Sequence, residues 1–206
     1  MILVENPMSA SIGFKEWQVV CNALATGRQS ILLRKGGIHE GRDGFSFAHE
    51  SFFLFPTRFH AIAGQVREGE VKVMPEWQPG DQIRITHHAE ARWAVTLTDW
   101  EKVAALEPLH IYSEFTVRDR FDWEGKGMTS GSIHLALVRI CQLAVPLAFS
   151  YDVKYGGCRS WIKLPELSDG WETSAQPVID DAAFADLESR LAQAHRMRRQ
   201  KITKTS

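Results

Sequence analysis

The sequence predicts an α+β domain: a mixed, mainly antiparallel, curved or barrel-like sheet with an N-terminal helix and a few short helices. Three observations predict it. Two strongly apolar β-type runs, Ser30–Leu33 and Phe52–Phe55, bracket a polar, glycine-bearing loop, the pattern of a long hairpin. Turn chemistry such as Pro79-Gly80-Asp81 leads into further strand-like runs. Helical periodicity is confined to separated stretches, without the regular strand–helix alternation of a doubly wound sheet.

In chain order, Phe14, Trp17, Val20, Cys21 and Leu24 recur at helical spacing from Ser11, and Gly27 stops that helix. Ser30–Arg34 begins the sheet, Gly36-Gly37 turns the chain, and Phe45 and Phe47 open the returning strand. Pro56 ends it, and Thr57 caps a short helix over Arg58–Arg67 whose apolar positions are Phe59, Ile62, Ala63 and Val66. Gln82–Thr86 and Ala91–Leu97 read as a second hairpin. Thr98 and Glu101 have capping-box spacing for a helix that Pro108 closes. Leu109–Val117 and Ser132–Leu143 are strand-like around the polar loop Arg118–Gly125, and Cys158–Leu164 is the last core strand. Beyond Pro165 come a Ser/Asp/Gly/Pro linker, a helix over Asp180–Ala194 and a basic tail. The expected organisation is one domain over 1–165, then 166–206 as linker, helix and tail.

Composition narrows the function classes. With 206 residues, 44% hydrophobic and 24% charged, the chain has the ordinary globular balance. A formal net charge of -1 excludes a global basic field, so any nucleic-acid contact must come from a local patch. The three cysteines, Cys21, Cys141 and Cys158, are widely spaced and form no CxxC pair, which argues against a disulfide framework or structural zinc. The N-terminus lacks a basic segment followed by an apolar core, and no run reaches the ~18 apolar residues of a membrane span. The expectation is a cytoplasmic protein with no cofactor, no metal and no membrane partner.

Several constellations carry chemistry. Arg34, Lys35, Gly36, Gly37 and Arg58 form a candidate anion site: glycines let backbone N–H groups converge on a phosphate, and the helix after Thr57 would add its free donors. The commoner reading of Gly-Gly is a turn, with Arg34 and Lys35 paired to Glu40 and Asp43. Arg118, Arg120, Phe121 and Trp123 interleave cations with aromatics, as backbone-holding and base-stacking surfaces do, although Asp119 and Asp122 offset the charge. His39, Glu40 and His60, with His49 and Glu50 nearby, have the right groups for a metal or proton-transfer set but match no ligand spacing. Cys158 after two glycines would need His60 or His110 as base to be a nucleophile, and otherwise packs as a small residue. Asp43 with Glu70-Val71-Lys72 has the outline of a nuclease metal site, a pattern that also arises by chance.

Lys15-Glu16-Trp17, the run Ile31–Ile38 followed by Glu40, Phe53-Leu54-Phe55-Pro56-Thr57, Leu109-His110-Ile111, Arg120-Phe121-Asp122-Trp123 and Gly157-Cys158-Arg159-Ser160-Trp161 resemble a bacterial family known as domain of unknown function 1802. Coverage is most of Phe14–Leu164. Where members commonly carry Glu-His-Gln after the Pro-Thr pair, this chain has Phe59-His60-Ala61, so only the histidine carries over. The family has no assigned activity. The resemblance implies a place near DNA restriction, because some relatives are fused to, or thought to work with, an Mrr-type restriction endonuclease domain.

The leading expectation is therefore a non-catalytic nucleic-acid-binding module accessory to DNA restriction. Two alternatives stay open: a small metal-dependent hydrolase or nuclease using His39, Glu40 and His60, and a scaffold whose aromatic hairpin meets a protein partner.

Overall fold

The computed structural model describes residues 11–35, 49–58, 63–70, 74–165 and 171–202, with side chains up to residue 193. It is α+β. Seven strands among the described residues form one sheet, β1 (Ile12–Trp17), β2 (Ile31–Lys35), β3 (Ser51–Thr57), β4 (Gln82–Leu97), β5 (Ile133–Ser150), β6 (Trp161–Lys163) and β7 (Gln176–Pro177). Their order is β2-β5-β4-β3-β1-β6, with β7 on β5. Among the described residues five α-helices accompany them, α1 (Gln18–Ala25), α2 (Trp100–Ala104), α3 (Glu114–Phe121), α4 (Trp171–Ser174) and α5 (Asp181–Ile202), with short 3-10 turns at Glu107–Leu109 and Val153–Tyr155. All described pairings are antiparallel except that of β1 with β3.

The backbone of the sheet is the long pair β4/β5. Its register runs from Gln82 opposite Ser150 to Leu97 opposite Ile133, interrupted between Ile85 and His87 and between Ala91 and Trp93. Such irregularities bend a strand and increase its twist. Pro146 lies inside the first of them, between the paired residues Gln142 and Leu147, where no ladder hydrogen bond is demanded of it. The bending brings the two ends of the sheet path near one another: Arg34 on β2 hydrogen-bonds Ser160 beside β6 and lies 3.7 Å from Glu16 on β1.

β3 is buried on both faces. Phe52 and Leu54 join one apolar cluster with Phe14, the α1 stripe, β2 and Phe121, while Phe53 and Phe55 join a second with Ile83, Ile85, Tyr155 and Ile162. A strand covered on both sides needs a continuous apolar run rather than alternation, which is why Phe52–Phe55 stands out in the sequence. Phe184 and Leu191 of α5 complete the first cluster.

Several expected elements are corrected. The N-terminal stripe is half strand: Ile12–Trp17 pairs with β3 and β6, and only Gln18–Ala25 is helical. The apolar positions serve both forms, and tertiary pairing overrides the local period. β2 and β3 are not a hairpin, because β5 and β4 lie between them. The second expected hairpin is the single strand β4. Leu109–Val117 is not a strand: Ser113 caps α3 by accepting from the Thr116 N–H at 3.2 Å. In place of the expected helix after Thr57, residues 63–65 turn and Val66 bridges to Tyr112; residues 59–62 lie outside the described set.

Candidate functional site

β1 and β3 run parallel and end side by side, Trp17 opposite Thr57. By these ends lies a cleft of about 550 Å³, a size that suits a small-molecule group or part of a polymer. Among the described residues five cations line it, Lys15, Arg34, Arg58, Arg120 and Arg159, against the carboxylates Glu16 and Glu76. Aromatic rings from Trp17, Phe55, Trp77, Tyr151 and Tyr155 supply much of the remaining wall.

The floor is a buried polar cluster. Glu16, only 2% exposed, accepts hydrogen bonds from the Trp17 N–H at 2.8 Å and the Tyr112 hydroxyl at 3.0 Å. Arg120, 6% exposed, donates to the Leu33 carbonyl at 2.7 Å and packs its guanidinium over Tyr112 and Trp17 at 4.2 and 4.8 Å from the ring centroids. Burial works to lower the Arg120 pKa, but Tyr112 and Glu16 outweigh it and the net shift is upward. Burial and the neighbouring Glu16 push the Tyr112 hydroxyl well up, so it stays a donor. The cluster thus fixes a charged floor below the more accessible cations.

Above it, Arg34 lies 3.7 Å from Glu16 and 4.8 Å from the Phe14 ring centroid, with 19% of its side chain exposed. Arg58 stacks over Trp77, 3.3 Å from the ring centroid. The indole is pinned by its own N–H to the Pro56 carbonyl at 2.9 Å and backed by Tyr151 at an interplanar angle of 19°. The Arg58 Nε is shielded from solvent and has no hydrogen-bond partner among the described residues. A guanidinium centred over a tryptophan ring offers an outer face to a base and edge donors to a phosphate. On the opposite lip Lys15 donates to the Gly157 carbonyl at 2.6 Å, and burial, with Arg159 nearby, lowers its pKa despite an opposing influence of Cys158.

Of the candidates named from the sequence that fall in described residues, Arg34, Arg58 and Arg120 meet in this cleft. Lys35 and Trp123 do not line it. Successive strand side chains point to opposite faces, and Lys35 reaches Asp119 at 3.7 Å and lies 3.8 Å from the Trp123 ring centroid. Gly36, Gly37, His39, Glu40 and His60 lie outside the described residues. Among the described residues no group of three or more His, Cys, Asp or Glu is placed to hold a metal ion. Glu70 of the nuclease-like tripeptide pairs with Arg28 at 2.5 Å. Cys158 is exposed at the cleft rim, whereas His110 is buried with its pKa lowered to about 4 by desolvation and then by Arg67 and Arg120.

Charge and spacing along the chain do not single out Lys15, Glu16, Trp77 or Arg159 as site residues. Lys15-Glu16-Trp17 and the Gly157–Trp161 run are visible in the sequence only as segments of a resemblance. They meet the others through the pairing of β1 with β3 and β6, which no local pattern announces.

A family model described as Domain of unknown function (DUF1802) matches residues 13–190. Among solved structures, a serine-to-alanine mutant of the ASCH protein from Zymomonas mobilis is similar at 12% identity and a TM-score of 0.44, covering 78% of this chain and 92% of that chain. The unsubstituted ASCH protein from Zymomonas mobilis gives 12% identity, a TM-score of 0.43, and coverage of 76% and 89%. No curated protein shows significant similarity to the chain. No described helix is long and apolar enough to cross a membrane.

Proposed function

We propose that this chain, which belongs to the DUF1802 family, is a non-catalytic nucleic-acid-binding module whose ligand enters the cationic cleft. One observation carries the reading. A chain of net charge -1 gathers five cations and a set of aromatic rings around one hollow, and two carboxylates face them among the described residues. Phosphate neutralisation by Arg and Lys supplies affinity that depends on salt, and stacking on aromatic or guanidinium planes supplies the rest. Arg34 and Arg58 take phosphate oxygens in this reading, and the outer face of the Arg58–Trp77 stack takes a base.

The test is fluorescence anisotropy with labelled single-stranded RNA, single-stranded DNA and duplex DNA over a range of salt. Binding is expected to weaken log-linearly with salt. Arg34→Ala with Arg58→Ala should weaken it at least about tenfold and reduce the slope by roughly 0.7 for each phosphate of a single strand that is no longer neutralised. Absence of binding at low salt, or a double variant with unchanged affinity and slope, overturns the assignment.

A role beside DNA restriction is the finer reading, supported by the family resemblance alone. It predicts that methylated and unmodified strands of one sequence bind with different affinities in the same assay, and equal affinities would remove it.

A further inference from the structure

The cleft does not end at its rim. A second hollow of about 490 Å³ adjoins it and shares Tyr155 and Arg159 as walls. Its other cations are Lys154 and Lys163, its apolar surface comes chiefly from Ile12, Trp161 and Ile162, and no carboxylate lines it among the described residues. The shared wall is held in shape from both sides. Arg159 donates to the Lys154 carbonyl at 2.9 Å, which ties the guanidinium to the turn preceding β6. Tyr155 is buried among Phe55, Phe149 and Tyr151, with the Lys154 ammonium 5.1 Å from its ring centroid. Gly157, on the cleft wall beside Arg159, has φ +73° and open space where a side chain would stand.

Two adjoining hollows with cations along both and rings in their walls form a track rather than a closed pocket. We propose that the second hollow is a continuation subsite, in which Lys154, Arg159 and Lys163 hold further phosphates of a single-stranded nucleic acid whose first nucleotides occupy the cleft. The proposal rests on the nucleic-acid reading of the cleft and extends it from a nucleotide-sized site to a polymer site. A duplex is disfavoured as occupant because the rings lie in recessed walls that only unpaired bases can reach. Single strands bound without sequence readout use this combination of a charged groove with stacking surfaces.

The experiment compares labelled oligodeoxynucleotides of two and eight residues on the wild-type chain, on Lys154→Ala with Lys163→Ala, and on Arg34→Ala with Arg58→Ala. Both lysines are exposed, and circular dichroism with thermal melting confirms that each variant is folded. On the wild type the eight-residue strand is expected to bind at least about tenfold more tightly than the two-residue one, with a steeper salt slope. The lysine variant should lose that gain and flatten the slope by roughly 1.4, the share of two phosphates, while keeping dinucleotide affinity. The arginine variant should weaken both lengths. Equal affinity at the two lengths, or a lysine variant that retains the length gain, overturns the continuation subsite and leaves the cleft standing. Failure of both strands to bind the wild type, or binding indifferent to the arginine substitutions, overturns the cleft reading and the subsite with it.

Discussion

At the scale of single residues the chain's least ordinary feature is Glu16, a carboxylate held at 2% exposure between the Tyr112 hydroxyl, the Trp17 N–H and Arg34. Burying an ionised group is tolerated only when its charge and lone pairs are answered, and here the answering groups are the walls of the cleft. Glu16→Gln removes the charge but not the volume, and leaves the buried Arg120 and the partly buried Arg34 without their acidic neighbour. Breaking a buried pair from one side costs about 3–5 kcal/mol. Because Arg34 retains Ser160 as a partner, the lower end of that range is expected. Tyr112→Phe removes one hydrogen bond to the same carboxylate, at a cost of about 1.5–3 kcal/mol. Denaturant unfolding of both variants and of the double variant checks this. The double loss should fall short of the sum, since the two changes act on one cluster, and full additivity would show that the two residues act independently.

Among the elements, α3 decides whether the floor of the cleft is in place, since its last turn carries Arg120 and Phe121. Its end is fixed by the chain that follows: the Ser132 N–H donates to the Phe121 carbonyl at 2.8 Å. A Cβ at Gly131 would stand 2.5 Å from the Phe121 ring and 2.7 Å from that carbonyl. Gly131→Ala must therefore move either the ring or the backbone, and overpacking of this kind costs about 1–3 kcal/mol. A lowered denaturation midpoint with weakened oligonucleotide binding is expected, and a midpoint within error of the parent would show that the turn yields freely. α3 also shows where the sequence stops being legible. Strands buried on both sides, such as Phe52–Phe55 and the first half of β5, announce themselves by composition, and α5 announces itself by its length. His110–Tyr112 and the Ser113 cap lie inside an apolar-looking run, so a strand over Leu109–Val117 has local composition on its side and the hydrogen bonds of the cap against it. Likewise Phe14 and Trp17 fit a helical stripe until β3 and β6 are placed on either side of them. In the site, the cations Arg34, Arg58 and Arg120 stand out by charge among glycines and aromatics. The cap on Arg58 does not: Trp77 is far from it in sequence and is held there by its indole N–H on the Pro56 carbonyl, at the same end of β3.

At the scale of the whole molecule, stability and binding should respond to pH through different groups. Among the described residues, three buried histidines, His88, His110 and His134, resist protonation, the first two most strongly. His88, against Phe53 and Trp171 and hydrogen-bonded to Ser51, has its pKa lowered from 6.5 to about 4 by burial. His110 is lowered to about 4 by burial and then by Arg67 and Arg120. A folded-state pKa below the unfolded one means that the unfolded chain takes up protons first as pH falls. The stabilisation is present above pH 6.5 and is lost between 6.5 and about 4, at up to about 1.4 kcal/mol per pH unit for each histidine. The cleft presents Arg and Lys side chains, and guanidinium charge does not change anywhere in that window. Unfolding midpoints measured from pH 7 to pH 5 should therefore fall steeply while the affinity for a dinucleotide confined to the cleft, measured where the chain is still folded, stays level. His88→Gln keeps a polar side chain without a titrating proton, so it should flatten the acid slope without abolishing it, because burial also lowers His110, His87 and His134, and it should leave affinity unchanged. An acid slope equal to the parent's would assign the pH sensitivity to other groups, and an affinity that tracks the unfolding curve would place a titrating histidine at the ligand itself.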